Sequence, residues 1–344
     1  MAHFPLRLAL DGDALVSNWH WLAHRSAGAA CGAAMKADGY GLGAREAVKR
    51  LQHAGCRDFF VATWAEAAAL MPWPGDLNLS VLHGVGAEDL GEAVRSRARP
   101  VLNSREQVER WRGTGRPCDV MIDTGFNRLG VSAADVAAGL LDGLDVETIM
   151  SHLACADEDG PMNVRQRQDF ADVSGRARAR RRSLANSAGI CLGADYAFDL
   201  TRPGLALYGG IPRPEAQGHI RQVVRVEAQI VQRRRVAAGQ SIGYNATFIA
   251  EAPRELAILN IGYADGYLRA FSGTGRARIG GIEAPVIGRI SMDLTTICVD
   301  ADPTLKEGDW VELDYDLPSA AAQSGLSQYE LLTGLGARFE RVWK

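Results

Sequence analysis

Lysine is scarce in this chain: Lys36, Lys49, Lys306 and Lys344 are the only four among 38 basic side chains. Lys49 falls in an amphipathic helical pattern, Lys306 in a Leu-Lys-Glu-Gly-Asp turn and Lys344 at the terminus, all settings where a solvated charge is ordinary. Lys36 differs, because it follows the small, apolar run Gly32–Met35 and precedes Ala37-Asp38-Gly39-Tyr40-Gly41. An ammonium at the end of a buried strand is desolvated, which lowers its pKa and favours Schiff-base chemistry. The alternative is a structural ion pair with Asp38. Gly204, after Arg202-Pro203, suits an anion, since a turn without a side chain lets backbone N–H groups approach one, and Ser187 offers a hydroxyl. Each is also compatible with an ordinary turn. His152 closes the strand-like run Glu147–Ser151, a position open to catalytic or structural use.

These residues need a scaffold, and the first 210 residues repeat one theme of a short apolar run, a turn and an amphipathic helix. Strands are expected at Gly32–Met35, Phe59–Thr63, Leu79–His83, Pro100–Asn103, Asp119–Asp123, Thr148–His152, Ser183–Asn186 and Phe198–Thr201. Helical patterns such as Ala44–Ala54, Trp64–Leu70, Ser104–Trp111 and Asn163–Arg178 lie between them. Eight alternating units predict an α/β chain with a (β/α)8 TIM-like barrel, whose chemistry sits where strands hand over to the following loops. From about Gln222 the texture changes to strands at Val223–Arg233, Glu255–Ile261, Ala277–Ile279, Ala284–Ile287, Thr295–Val299 and Trp310–Leu313. A mainly β C-terminal domain over 222–344 follows, after a barrel over 1–221, closing in a helix near Gln328–Leu335 with Ser327 as N-cap.

At 344 residues, two domains are the natural expectation. A net charge of −3 leaves no global field to draw the protein onto nucleic acid or an anionic membrane, so a small-molecule partner fits better. The cluster Arg176, Arg178, Arg180, Arg181 and Arg182 follows a helix, where cations complement its dipole, and no aromatic residues interleave it. Seven isolated histidines and six scattered cysteines form no HxH, HExxH or CxxC spacing, so no metal site is expected and the thiols read as reduced. The run Gly39–Gly43 lacks GxGxxG spacing. Met1 to Leu10 does not read as a secretion signal and no apolar run reaches ~20 residues, which together predict a cytoplasmic protein.

Met35-Lys36-Ala37-Asp38-Gly39-Tyr40-Gly41 closely resembles the cofactor-lysine motif of alanine racemases. Four further segments resemble that family's motifs in the family's order: Asp123–Gly130, Arg202–Gly209, Gly262–Tyr267 and Gly288–Asp293. The resemblance runs from about Leu6 to the C-terminus. It implies a pyridoxal 5'-phosphate enzyme interconverting L- and D-alanine, with a barrel, a β domain and homodimers whose active sites use both chains. By that resemblance Lys36 would carry the cofactor, while Tyr40, Ser187, Gly204 and Leu205 would hold its phosphate. Arg202 would face the pyridine nitrogen, with His152 beside the ring and linked to Arg202. Arg128 and the backbone at Met292 would bind the substrate carboxylate, and Tyr263 would reach in from the partner subunit as the second base to Lys36. Many family members carry a lysine seven positions before that arginine, often carbamylated to position it; here the position is Met121. A racemase of another amino acid, a related decarboxylase and a non-catalytic cofactor carrier are the rival readings. Decarboxylases of this fold pair the pyridine nitrogen with a carboxylate, and a carrier needs no second base.

Overall fold

Short apolar strands alternating with amphipathic helices can bury both faces of a sheet only if helices cover it, which is the logic of a parallel barrel. The computed structural model describes residues 4–73, 75–302 and 304–344. Residues 1–3, part of the N-terminal segment read above for a secretion signal, lie outside the described residues. The chain divides into two compact units, one of residues 14–221 and one of residues 1–13 with 222–344.

In the unit of residues 14–221, seven parallel strands pair in chain order, from Ala33–Ala34 through Asp58–Val61, Asn78–Val81, Arg99–Leu102, Cys118–Met121 and Val146–Met150 to Arg181–Ser183. Leu200–Thr201 closes the ring by pairing in parallel with Ala30–Cys31. On that strand's other side the Asp199 N–H donates to Arg182 O (3.0 Å) and the Arg202 N–H to Ala185 O (2.8 Å). Eight strand positions therefore form the barrel, each within a few residues of its expected place. Between them run helices Ala44–Ala54, Trp64–Ala69, Arg105–Arg112 and Pro161–Ser174.

The two-residue period of a strand stacks the interior in layers. The first inward positions are polar. Asp58 accepts from both terminal nitrogens of Arg181 (3.1 and 2.7 Å), and the buried Asp119 accepts from Ser80 Oγ (2.6 Å) and pairs with Arg99. Two residues further along lies an apolar layer of Phe60, Val101, Met121, Met150 and Leu200. Two further again, the strand carrying Met150 delivers His152 to the rim. Met121 is thus a core residue, 8% exposed, packed in that apolar layer.

The other unit is mainly β. Its largest sheet runs Ile282–Pro285, Arg276–Ile279, Trp310–Leu313, Val224–Val236, Leu6–Leu10, Glu340–Trp343, with Arg254–Leu259 and Thr295–Cys298 continuing from the far end of the long strand. Ser327 caps Gln328–Thr333 as expected, in a reciprocal capping box with Glu330. One expectation is corrected: the segment 1–221 does not all belong to the barrel unit. Leu6–Leu10 pairs antiparallel with Val224–Val236 and parallel with Glu340–Trp343, so residues 1–13 belong with 222–344. Five residues of alternating pattern do not specify which sheet a strand joins; partners more than 200 residues away decide it here.

Candidate active site in the barrel mouth

Lys36 leaves its strand into an unusual turn. Ala37, Asp38, Gly39 and Tyr40 all take left-handed backbone conformations, with φ of 52°, 52°, 64° and 55°. Each non-glycine residue there costs about 1–2 kcal/mol, so the surroundings must hold it. The Gly39 N–H donates to Met35 O (2.8 Å) and the Gly41 N–H to Ala37 O (2.7 Å). Glu66 accepts from the Ala37 N–H (2.8 Å) and, through its other oxygen, from the Ala62 N–H (2.6 Å). Asp38 accepts from the Ala44 N–H (2.8 Å), capping the next helix.

That arrangement leaves the Lys36 ammonium with no carboxylate within ion-pair distance among the described residues, and the structural pairing with Asp38 is not made. Burial first, then the charges of Arg128 and Arg202, lower its pKa from the ordinary lysine value, opposed by Glu66. Tyr40, brought round by the turn, stacks on Tyr208 at 4.8 Å between ring centroids. The Tyr208 hydroxyl donates to Ala34 O (2.9 Å) and so fixes the pair.

Tyr40's hydroxyl points at Gly204, where any Cβ would fall inside its van der Waals radius. The Ser187 hydroxyl accepts from the Gly204 N–H (2.9 Å) and the Ala206 N–H (3.2 Å), bridging two barrel loops at the start of the turn Leu205–Tyr208. Two hydroxyls and converging backbone N–H groups around a position that only glycine fits suit a phosphate. Arg202, 7% exposed, donates to Ser183 Oγ and to Ser151 O (2.6 Å) and has no carboxylate partner among the described residues. Burial pulls its pKa down to about 10, which still leaves a cation at neutral pH. A cofactor bearing a phosphate, an aldehyde for Lys36 and an unprotonated ring nitrogen for Arg202 fits these residues.

His152 stands beside the Phe126 ring, 5.5 Å between centroids. Burial, then Arg202, Arg128 and Lys36, push its pKa down to about 3, so the imidazole is neutral. Arg202 acts on it electrostatically, its guanidinium bonding elsewhere as above. Arg128, exposed, lies with its guanidinium carbon 4.1 Å from the Phe126 ring centroid. Lys36, Tyr40, Arg128, His152, Ser187, Arg202, Gly204 and Leu205 thus all belong to the loops after the barrel strands.

Tyr263 and Met292 lie in the other unit, and there they meet. The Tyr263 N–H donates to Ser291 O (3.1 Å) and the Ala264 N–H to Met292 O (3.0 Å). Gly262 permits this approach, since a Cβ would collide with the Ser291 and Met292 carbonyl oxygens. The buried Asp265 accepts from the Gly262 N–H (3.0 Å) and is held by Arg338 (2.6 and 2.8 Å), which also reaches Asp293 (2.8 Å). Arg269 covers the Tyr263 ring at 5.1 Å.

Sequence reasoning missed Glu66, Phe126, Ser183 and Arg338. Glu66 carried a signal, since Thr63-Trp64-Ala65-Glu66 is a capping-box pattern and Thr63 Oγ1 does accept from the Glu66 N–H (3.2 Å). Nothing in that pattern announces the reach to Ala37.

The site defines a class: a barrel protein with a lowered-pKa lysine, a phosphate cradle and a buried arginine at one mouth. Family models described as alanine racemase, N-terminal domain and alanine racemase, C-terminal domain match residues 10–212 and 223–343. A biosynthetic alanine racemase of Agrobacterium fabrum is 40% identical, the match covering 98% of this chain and 94% of that protein. An alanine racemase of Acidiphilium cryptum is 42% identical, covering 98% of each. The crystal structure of alanine racemase from Bartonella henselae, with covalently bound pyridoxal phosphate, superimposes with a TM-score of 0.92 at 34% identity and covers 100% of both chains. The chain belongs to the alanine racemase family.

Proposed function

We propose that this chain is a pyridoxal-phosphate-dependent alanine racemase, working as a cytoplasmic homodimer, with Lys36 and Tyr263 as its two proton-transfer groups. The observation that carries the reading is the unpaired, lowered-pKa Lys36 beside a glycine-built anion cradle in the barrel mouth. Racemisation needs one base to take the Cα proton and a second group to return a proton from the opposite face. When bound, the cofactor supplies the electron sink that makes the Cα–H bond acidic.

Every other part falls to side chains of this protein. The lowered pKa of Lys36 raises the fraction of free amine able to accept the proton. The Tyr263 phenol, on a ring covered by Arg269, would give or take the other. Tyr40, Ser187, Gly204 and Leu205 would hold the phosphate. Arg202 would face the ring nitrogen and, unable to accept a proton, would disfavour its protonation, which would weaken the sink and limit side reactions such as transamination. Neutral His152 would lie beside the ring. Arg128 and the Met292 backbone would take the substrate carboxylate. Tyr263 and Met292 would come from a partner subunit; a loaded protein sedimenting as one 37.0 kDa chain would remove that part.

The test is incubation of the cofactor-loaded protein with L-alanine in heavy water, followed by chiral separation with mass detection. D-alanine carrying deuterium at Cα is the expected product. Exchange without inversion would mean that one proton-transfer group works and would remove the assignment of the second. No exchange with alanine, serine or lysine would overturn the racemase reading.

A further inference from the structure

Arg128 sits where a substrate carboxylate would dock, yet no acidic side chain of the described residues lies within ion-pair distance of it. Met121, seven positions earlier, is locked into the apolar barrel layer and offers no charge. A long, solvent-exposed arginine without a partner samples many rotamers and binds carboxylates poorly, because ordering it on each encounter costs entropy. We propose that Phe126 is the positioning residue for Arg128, holding the guanidinium by its flat face and leaving the N–H edge free for the substrate carboxylate. The inference rests on the reading of Arg128 given under Proposed function.

The geometry supplies three supports. The guanidinium carbon is 4.1 Å from the Phe126 ring centroid, well inside the ~6 Å reach of a cation–π contact. The ring is also in a tilted contact with the His152 imidazole, 5.5 Å between centroids and 55° between planes, so it has a second neighbour besides the guanidinium. The loop that carries both residues is tied shut. Asp123 Oδ1 accepts from the Gly125 N–H (2.8 Å) and the Asn127 N–H (3.1 Å), and Asn127 takes a left-handed φ of 57°. The loop's ends are joined by the Asp123 N–H to Val131 O (3.1 Å) and the Val131 N–H to Met121 O (2.9 Å).

Face and edge are chemically distinct on a guanidinium. An acidic partner would engage the N–H edge, the same edge that grips a carboxylate in a two-pronged hydrogen bond. An aromatic partner takes the face and competes for none of the donors. Phe126 therefore orders Arg128 without occupying its binding groups, where an acidic partner would occupy part of them.

The experiment compares cofactor-loaded wild type, Phe126→Leu, Phe126→Tyr and Arg128→Lys, with Phe126→Met in reserve should the leucine variant fail to fold. KM for alanine and the Kd for propionate, measured by calorimetry as a readout independent of turnover, are followed together. The leucine variant should raise both by about two- to five-fold, the range of an exposed cation–π contact. Its kcat should stay within about two-fold and its cofactor absorbance unchanged, while Phe126→Tyr restores both constants. Unchanged KM and propionate affinity in the leucine variant, with Arg128→Lys weakened, would overturn the role of Phe126 alone. So would a tyrosine variant that fails to rescue, which would make the ring a packing element. Propionate affinity unmoved in Arg128→Lys would overturn the carboxylate site itself, and with it this inference.

Discussion

Among individual residues, the charges that act on His152 have one sign: Arg202, Arg128 and Lys36, together with burial, push its pKa to about 3. An exposed imidazole has a pKa near 6.5, so on unfolding it takes up a proton at a pH where the folded ring stays neutral. Between those values the unfolded state binds more protons, and stability rises with pH by up to about 1.4 kcal/mol per pH unit; above about 6.5 the contribution is flat. Urea unfolding of loaded wild type should therefore lose about 1–2 kcal/mol more than His152→Gln when pH falls from about 6.5 to about 4.5. Equal losses in the two proteins would mean that His152 is not held neutral. Lys36 was legible in the sequence because it is rare and ends an apolar run. The bonds of Arg202 to Ser183 and Ser151 were not, since they join strands 19 and 51 residues away and leave no local pattern.

Among the elements, two of the loops that carry the site each contain a conformation that the sequence announced only in part. The glycines around Tyr40 signal a tight turn, but four successive left-handed residues depend on Glu66 from another helix. Gly204 was legible as an anion-binding turn, whereas the reason it must be glycine, the Tyr40 hydroxyl against its α-carbon, appears only once the loops are assembled. A Cβ at Gly204 would run into the Tyr40 hydroxyl, so alanine there is a steric perturbation aimed at that contact. Overpacking of this kind costs about 1–3 kcal/mol, and displacement of Tyr40 would relieve it at the expense of the cradle. Gly204→Ala should therefore weaken pyridoxal phosphate binding by about tenfold or more, with the melting temperature of the cofactor-free protein nearly unchanged. Fluorescence titration reads the first and calorimetry the second. Unaltered cofactor affinity would remove Gly204 and Tyr40 from the phosphate site.

For the whole molecule, the strand Leu6–Leu10 is the decisive feature. Leu10 pairs with Val224 and Leu6 with Ala228, and the Asp11 N–H donates to Val223 O (2.9 Å). Residues 11 and 223 therefore stand where the two arms of an antiparallel hairpin meet, and the unit of residues 14–221 enters the chain as an insertion in that hairpin's turn. Arg7 pairs with Glu227 across the hairpin, and the strand's other edge binds Glu340–Trp343. Most of the barrel's strands were readable because each βα unit repeats over some 25 residues, but a hairpin opened by 208 inserted residues leaves no turn signal to read. Leu6, Leu8 and Leu10 are at most 2% exposed. At about 1.5–3 kcal/mol each, their burial is comparable to the whole stability of a small domain. Residues 222–344 expressed alone should therefore lack a cooperative melt and a dispersed NMR spectrum. A chain in which residues 1–11 run through a short Asn-Gly turn into residues 223–344 should recover both, since that dipeptide favours the hairpin the two strands already form. A cooperative melt from 222–344 alone, at the same temperature as the joined chain, would show that the first strand is an accessory to this sheet and not part of its fold.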